Sequence, residues 1–189
     1  ASEEKITHGL YAKPLYSGDR VYFAARHKVA CLDLTTGRPI WEADLQNDVG
    51  GIVLIESGPF LAVVGTGQEY LNQALRDGPM PSLTLVWKES GAVAGRMTLA
   101  KRDPVRVVRW TPGGVFVLGE HQLQRCDSLL NVIAAREPTA GVFEDLIDEA
   151  GRLTLVTSEG RHAISPVTLE SLPDLPPPAP APGGDSAAE

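Results

Sequence analysis

The sequence predicts an all-β fold assembled from a repeated four-stranded unit, and three observations carry that prediction. Short apolar runs such as "RVYFAAR", "KVACLDL", "PFLAVVG", "LTLVWK", "VFVLGE" and "LTLVTS" have strand length and often alternate. Gly, Pro, Asp and Asn bound them, as turn formers should. The runs also recur in register. "SGDRVYFAARHKVACLDLTTG" aligns with "PGGVFVLGEHQLQRCDSLLN", placing Val21 on Val115, Tyr22 on Phe116, His27 on His121 and Asp33 on Asp127. Four short strands per roughly forty residues is the period of a β-propeller blade. One blade cannot bury both of its faces alone, so the unit has to repeat.

In chain order, residues 1–10 are polar and read as a linker or a closing strand. Blades follow at about 11–45, 50–99, 104–137 and 140–175. The first supplies the alignment frame. In the second, "ESGPFLAVVG" matches the first half and "SLTLVWKESGAV" the second, with Gly91 on Gly37. The third keeps Asp127, and the fourth places Leu153 on Val21 and Ala163 on Cys31. An apolar strand precedes each later copy: "GIVLIES", "VRVVRWT" and "VFEDLIDE". Residues 66–82, "TGQEYLNQALRDGPMPS", interrupt the second copy. Thr66 and Glu69 fit a capping box, Tyr70, Leu71, Ala74 and Leu75 form a stripe at helical spacing, and Gly78-Pro79 is a stop signal. The expectation is one short helical insertion, either covering an open propeller edge or contacting a partner. Residues 176–189 are a Pro-rich flexible tail, extended first and then Gly/Ser/Ala-rich, suited to a spacer.

"CLDLTTGRPIWEADL" resembles the repeat of quinoprotein-type propellers, the PQQ-like or tryptophan-docking repeat. The family pattern runs approximately Ala-x-Asp-x-x-Thr-Gly-Lys-x-x-Trp, and Asp33, Thr36, Gly37 and Trp41 match it. Cys31 stands at the usual Ala and Arg38 at the usual Lys. Read from the residues, Asp33 and Thr36 bond their own turn, Gly37 permits a positive φ, and Trp41 offers a flat face to the adjacent blade. These residues, with Gly91 and Asp127, form the structural repeat. The resemblance spans residues 11–175 and implies a propeller of the non-enzymatic branch, since the vicinal cysteines of its quinone dehydrogenases are missing. Four blades leave three arrangements open: a piece of a longer propeller, a homodimer closing one ring, or a small closed propeller.

Bulk properties narrow the function. Net charge is −7 and the pI about 5.1, a poor match to polyanionic partners, so no nucleic acid is expected. No run approaches the length of a membrane-spanning helix. Cys31 and Cys126 are isolated and read as small buried hydrophobes, with a disulfide between them as the alternative. His8, His27, His121 and His162 lack zinc-ligand spacing and read as turn histidines, so no metal is expected. Arg106 and Arg109, in the basic stretch "KRDPVRVVRW", differ by an odd number and point to opposite strand faces. Asp33, Asp44, Asp127 and Glu144 sit in turn or strand-edge contexts, so no catalytic residue and no cofactor is assigned. The opening "ASEEK" suits a mature start after signal cleavage, or merely marks a cut in a longer chain. The expectation is a non-catalytic interaction scaffold with protein partners, outside the bacterial cytoplasm by resemblance, with a cytoplasmic site as the alternative. The competing readings are a small-molecule-sensing propeller and a degenerate quinoprotein-like enzyme.

Overall fold

The computed structural model describes residues 13–172, apart from positions 26, 46–50, 67, 72–73, 78–79, 102, 140 and 150–151. Every regular element among them is a strand. Sheet 1 pairs β1 (Leu15–Ser17), β2 (Arg20–Ala25), β3 (Lys28–Asp33) and β4 (Pro39–Asp44) in chain order. Sheet 2 pairs β5 (Ile52–Ser57) with β6 (Phe60–Gly65), then β9 (Ser82–Trp87) and β10 (Val93–Thr98). Sheet 3 contains β11 (Val107–Thr111), β12 (Gly114–Leu118), β13 (Leu123–Cys126) and β14 (Val132–Arg136). Sheet 4 contains β15 (Phe143–Glu149), β16 (Arg152–Thr157) and β17 (Gly160–Ile164), and a single antiparallel bridge from Ile164 to Ser171 stands in its fourth-strand position. All pairings are antiparallel. The all-β, four-stranded blade predicted from sequence is therefore the architecture.

Strand alternation gives each sheet two faces, and the repeat makes one lead and one trail. The leading face of sheet 1 (Tyr22, Ala24, Val29, Cys31) packs on the trailing face of sheet 2 (Leu61, Val63, Val86). The leading face of sheet 2 (Ala62, Val64, Leu83, Leu85) meets the trailing face of sheet 3 (Val115, Val117, Cys126). The leading face of sheet 3 (Phe116, Leu118, Leu123) meets the trailing face of sheet 4 (Leu153, Leu155, Ile164). Three cores thus join four sheets in series. The first strands β1, β5, β11 and β15 pack successively on one another at the centre of the arc. Among the described residues no sheet stacks closely on the trailing face of sheet 1 or the leading face of sheet 4. No described helix is long and apolar enough to cross a membrane.

The inserted segment corrects the sequence reading. Among the described residues of 66–82 there is no helix. Instead β7 (Gln68–Leu71) and β8 (Ala74–Asp77) form a separate two-stranded antiparallel hairpin, with Tyr70 opposite Leu75 and Leu71 opposite Ala74. The positions of those four side chains lie outside the described set. The physical reason is non-local. Strands β6 and β9 are already paired as far as Gly65 and Ser82, so the two ends of the insertion begin one strand spacing apart. Continuing in a hairpin adds little loop-closure cost, whereas a helix of this length needs nucleation and is marginal by itself.

Candidate functional site

Because consecutive antiparallel strands reverse direction, the turns alternate between two rims. The turn rim carries the loops after the first and third strand of each sheet. The connection rim carries the loops after the second and fourth, including the β7–β8 hairpin.

On the turn rim, the loop from Asp33 is built as its residues require. The Asp33 Oδ1 accepts the Thr36 backbone N–H at 2.6 Å and the Thr36 hydroxyl at 2.8 Å. Gly37, at φ +67°, donates its N–H to the Asp33 carbonyl at 2.8 Å, and Asp33 donates to the Arg38 carbonyl at 2.9 Å. The same loop closes sheet 2, where Gly91 at φ +73° donates to Trp87 and Trp87 donates to Ala92. In sheet 3 the loop is one residue shorter. Asp127 accepts from the Leu129 and Asn131 backbones and from the Asn131 side chain, each at 2.9 Å. The left-handed residue there is Leu130, at φ +66°.

Sheet 4 keeps the loop as well, which sequence reading missed. Ser165 donates to Glu170, Leu169 donates back to Ser165 at φ +64°, and the Ser165 hydroxyl accepts from Val167 and Thr168. The usable signal was Ser165 and Thr168 at the spacing of Asp33 and Thr36. A leucine at the glycine position hid it.

These turns are where neighbouring sheets lock. The Trp41 ring lies over Gly91, so close that a Cβ there would sit 2.6 Å from its Cε3. The Trp41 Nε1–H donates to the Lys88 carbonyl at 2.8 Å, and the Arg20 guanidinium donates to the same carbonyl. Sheet 2 has Gly95 in the Trp41 position, and the Leu129 backbone of the next turn moves into the space. In sheet 3, Arg125 bridges the Gly113 and Val167 carbonyls. Toward the arc centre, Glu56 accepts from Lys88 Nζ at 2.6 Å and from the Ser17 hydroxyl at 2.8 Å.

Two of the clefts among the described residues lie beside these elements. On the connection rim, at the root of the β7–β8 hairpin, lies a cleft of about 340 Å³ lined by Val53, Val64, Thr66, Pro81, Lys101 and Pro104 among others. A second cleft, of about 280 Å³, runs between β5 and β11 and is lined by Ile55, Glu56, Ser57, Arg109 and Trp110 among others. The Arg109 Nε is buried without a hydrogen-bond partner. Arg106 is engaged elsewhere, with Glu120 at 3.1 Å and the Phe143 carbonyl.

The described residues contain no group of three or more His, Cys, Asp or Glu side chains placed to hold a metal ion. His121 donates its backbone N–H to Asp103 from a connection-rim loop, and His162 is exposed on β17. His8 lies outside the described residues. Both cysteines are free and buried. Burial pushes the Cys126 thiol up to about 11, and it also raises Cys31. Neither is a nucleophile near neutral pH.

No family model and no curated protein sequence matches the chain. Solved structures do. BamB from Moraxella catarrhalis is 14% identical, with a TM-score of 0.50 over 79% of this chain and 41% of its own. The dihydro-heme d1 dehydrogenase NirN is 17% identical, with a TM-score of 0.53 over 90% of this chain and 37% of its own. The quinohemoprotein alcohol dehydrogenase ADHIIG from Pseudomonas putida HK5 is 10% identical, with a TM-score of 0.53 over 85% of this chain and 33% of its own. The likeness shows the fold alone, an arc of β-propeller blades, and the chain spans well under half the length of these natural proteins.

Two outcomes follow from the turn-rim geometry. Trp41→Ala is expected to lower unfolding free energy by about 3–5 kcal/mol in urea titrations. Gly91→Ala meets both the tryptophan ring and a left-handed backbone, and Gly37→Ala meets the backbone alone. Gly91→Ala should therefore cost clearly more than the roughly 1–2 kcal/mol of Gly37→Ala. Equal costs would show that the ring contact contributes nothing.

The second outcome concerns acid. Hydrogen bonds from Thr36 hold the Asp33 carboxyl below the usual aspartate range, and those from Asn131 do the same for Asp127. The Lys88 ammonium lowers Glu56. A lowered folded value means that the associated stability is present above the unfolded value and is lost as pH falls through the folded one. The urea midpoint should drop from about pH 5 toward pH 2, and Asp127→Asn should flatten that drop. An unchanged slope in the variant would remove Asp127 from the account.

Proposed function

We propose that this chain is a non-catalytic β-propeller scaffold that holds protein partners on its connection rim and works outside the cytoplasm. The observation carrying this reading is the β7–β8 hairpin. It belongs to no blade sheet, it interrupts the repeat, and it projects from two of the strands that sheet 2 pairs most extensively. Loops on a rigid scaffold are where binding residues accumulate. The cleft at its root offers apolar walls with Lys101 and Asp103 at the edge, the mixture that a protein surface fills. The extracytoplasmic placement is supported by the repeat resemblance alone.

A photo-crosslinking residue substituted at Tyr70 is expected to give a discrete protein adduct in the native host. The same residue at Leu34, on the opposite rim, should give none. Replacing residues 67–79 by Asn-Gly, which suits a two-residue hairpin turn, should abolish the adducted complex while leaving the thermal transition in place. Identical adducts from both rims, or none from position 70, would sink the reading.

A further inference from the structure

We propose that the outer edge of sheet 3, strand β14, receives an extended segment of a protein partner as an added strand, an uncharged run led by a lysine or arginine. This goes beyond the scaffold reading, which concerns the connection rim, and does not depend on what the hairpin holds.

The outer strand of a blade is paired on one side only, so alternate N–H and C=O groups face outward. The register says which. Gly119 donates to the Gln122 carbonyl, so β12 and β13 bond through Gln122, Gln124 and Cys126. Leu123 and Arg125 then turn to β14. The residues opposite Gln124 and Cys126, which are Ala135 and Val132, present their main chain outward. The bond from the Asp127 N–H to the Asn131 carbonyl fits the same alternation. In sheet 1, where Leu34 donates to Asp19, the rule puts Pro39, Glu42 and Asp44 of β4 outward. In sheet 2, where Lys88 donates to Pro59, it puts Val93, Arg96 and Thr98 of β10 outward.

Two of these three edges are guarded. Strand β4 has no outward N–H at Pro39. Its Asp44 carbonyl is taken by the Arg96 guanidinium at 3.1 Å, and Glu42 lies 3.6 Å from Lys28. Strand β10 carries the charge of Arg96 itself. Prolines and charges at such positions are how natural sheets keep their edges from pairing. Strand β14 has neither at its outward positions. Val132 is 50% exposed, Ala135 is exposed, and Ile133 between them is 55% exposed. The one charged residue of the strand, Arg136, is turned onto the next sheet, donating to the Leu169 carbonyl at 2.7 Å and the Ser171 hydroxyl at 3.0 Å. A bulge at Ile133 sets the outward positions three residues apart, but β4 and β10 are bulged at the same place, so this does not distinguish β14. Sheet 3 already has a sheet on each face. Further blades stack on faces, so lengthening the series leaves this edge open.

The chemistry of the edge names its occupant. A strand edge is completed by another strand through the main chain. Neither outward position offers a charge to pair with, so the segment along them is uncharged. Just past the strand, Glu137 is exposed and has no partner among the described residues. In an antiparallel pairing the first residue of the added strand lies beside Glu137. In a chain of net charge −7, a lysine or arginine suits that place.

The probe is the acetylated and amidated peptide Lys-Thr-Val-Thr-Val-Thr, titrated into the intact chain and read by amide hydrogen exchange. The Val132 and Ala135 amides should exchange fast in the free chain and become protected saturably. Those of Ala134 and Arg136, already turned to β13, should change little. Ala135→Pro deletes an outward N–H without touching the β13–β14 ladder. It should abolish the protection at Val132 and leave the thermal transition in place. Ile133→Lys should weaken binding about tenfold or more, and it serves if the proline variant does not fold. Glu137→Lys should lower affinity for this peptide about twofold to fivefold and leave an Ala-led counterpart unaffected. No protection at millimolar peptide overturns the proposal. So does equal binding of a peptide methylated at alternate backbone nitrogens, which cannot pair through its main chain. Protection of the same amides without peptide, rising with protein concentration beside a doubled mass, would assign the edge to a second copy and overturn the partner. Position 70 adducts that survive Ala135→Pro leave the scaffold reading standing whatever the peptide does, and peptide binding without any such adduct removes that reading alone.

Discussion

The whole structure depends on one constraint: a propeller blade is apolar on both faces and is stable only when another sheet covers each of them. Strand β6 shows the constraint at its strongest. All six residues from Phe60 to Gly65 are buried, because sheet 2 has a neighbour on either side. Strand β16, at the end of the arc, alternates instead, with Leu153, Leu155 and Thr157 buried and Arg152, Thr154 and Val156 only partly covered. The contrast between β6 and β16 follows from having sheets on both sides or on one. Strand β2, at the other end, is intermediate, with Val21 and Tyr22 both buried and Phe23 exposed. Burial at about 25 cal/mol per Å² of apolar surface explains why the series holds at the low sequence identity seen against its structural neighbours. Any apolar residue of suitable volume at these positions satisfies it.

The turn rim shows the same tolerance in a different currency. Each third-to-fourth strand loop is defined by main-chain hydrogen bonds and one left-handed residue, and side chains only assist. Asp33, Asp127 and Ser165 all accept from backbone N–H groups two to four residues on. Gly37 and Gly91 take the left-handed position without strain, while Leu130 and Leu169 take it with strain. Both leucines are buried in a sheet-to-sheet core, so packing offsets a conformation that costs roughly 1–2 kcal/mol for a residue with a Cβ. The lock to the next blade is equally exchangeable: an indole over Gly91, a main chain over Gly95, a guanidinium reaching Val167. One geometric need is met by three chemistries.

That exchangeability sets how much was legible in the sequence. The strands were legible because alternation and turn residues are local signals. The repeat was legible through Val21, Val115 and Leu153, which occupy one packing position. The Asp33–Trp41 hairpin was legible because it uses the commonest residues for its turn and its dock. The fourth loop was not, since Leu169 in a left-handed conformation contradicts local propensity and is held there by tertiary burial. The inserted hairpin was misread for the complementary reason. Its local pattern fits a helix, and only the pairing of Gly65 with Ser82, a contact between distant positions, brings its ends together. The clefts between blades had no sequence signal at all, because they exist only once the sheets stack.

Cohesion and variation are thereby separated in space. The faces carry the apolar rows and cannot change character without opening a core. The turn rim is tied across blades by Trp41, Arg20, Arg125 and the Glu56–Lys88–Ser17 contacts, so its loops stay short. The connection rim is under neither restriction. A segment inserted between β6 and β9 enters and leaves through a ladder that is already complete, and the loop-closure cost of lengthening it grows only logarithmically. It leaves the strand pairing of the blade intact. Chemistry that distinguishes this chain from another arc of the same fold therefore has most freedom to accumulate on that rim. The insertion stands there, beside a cleft whose walls come from sheet 2 and from the segment that leads to sheet 3.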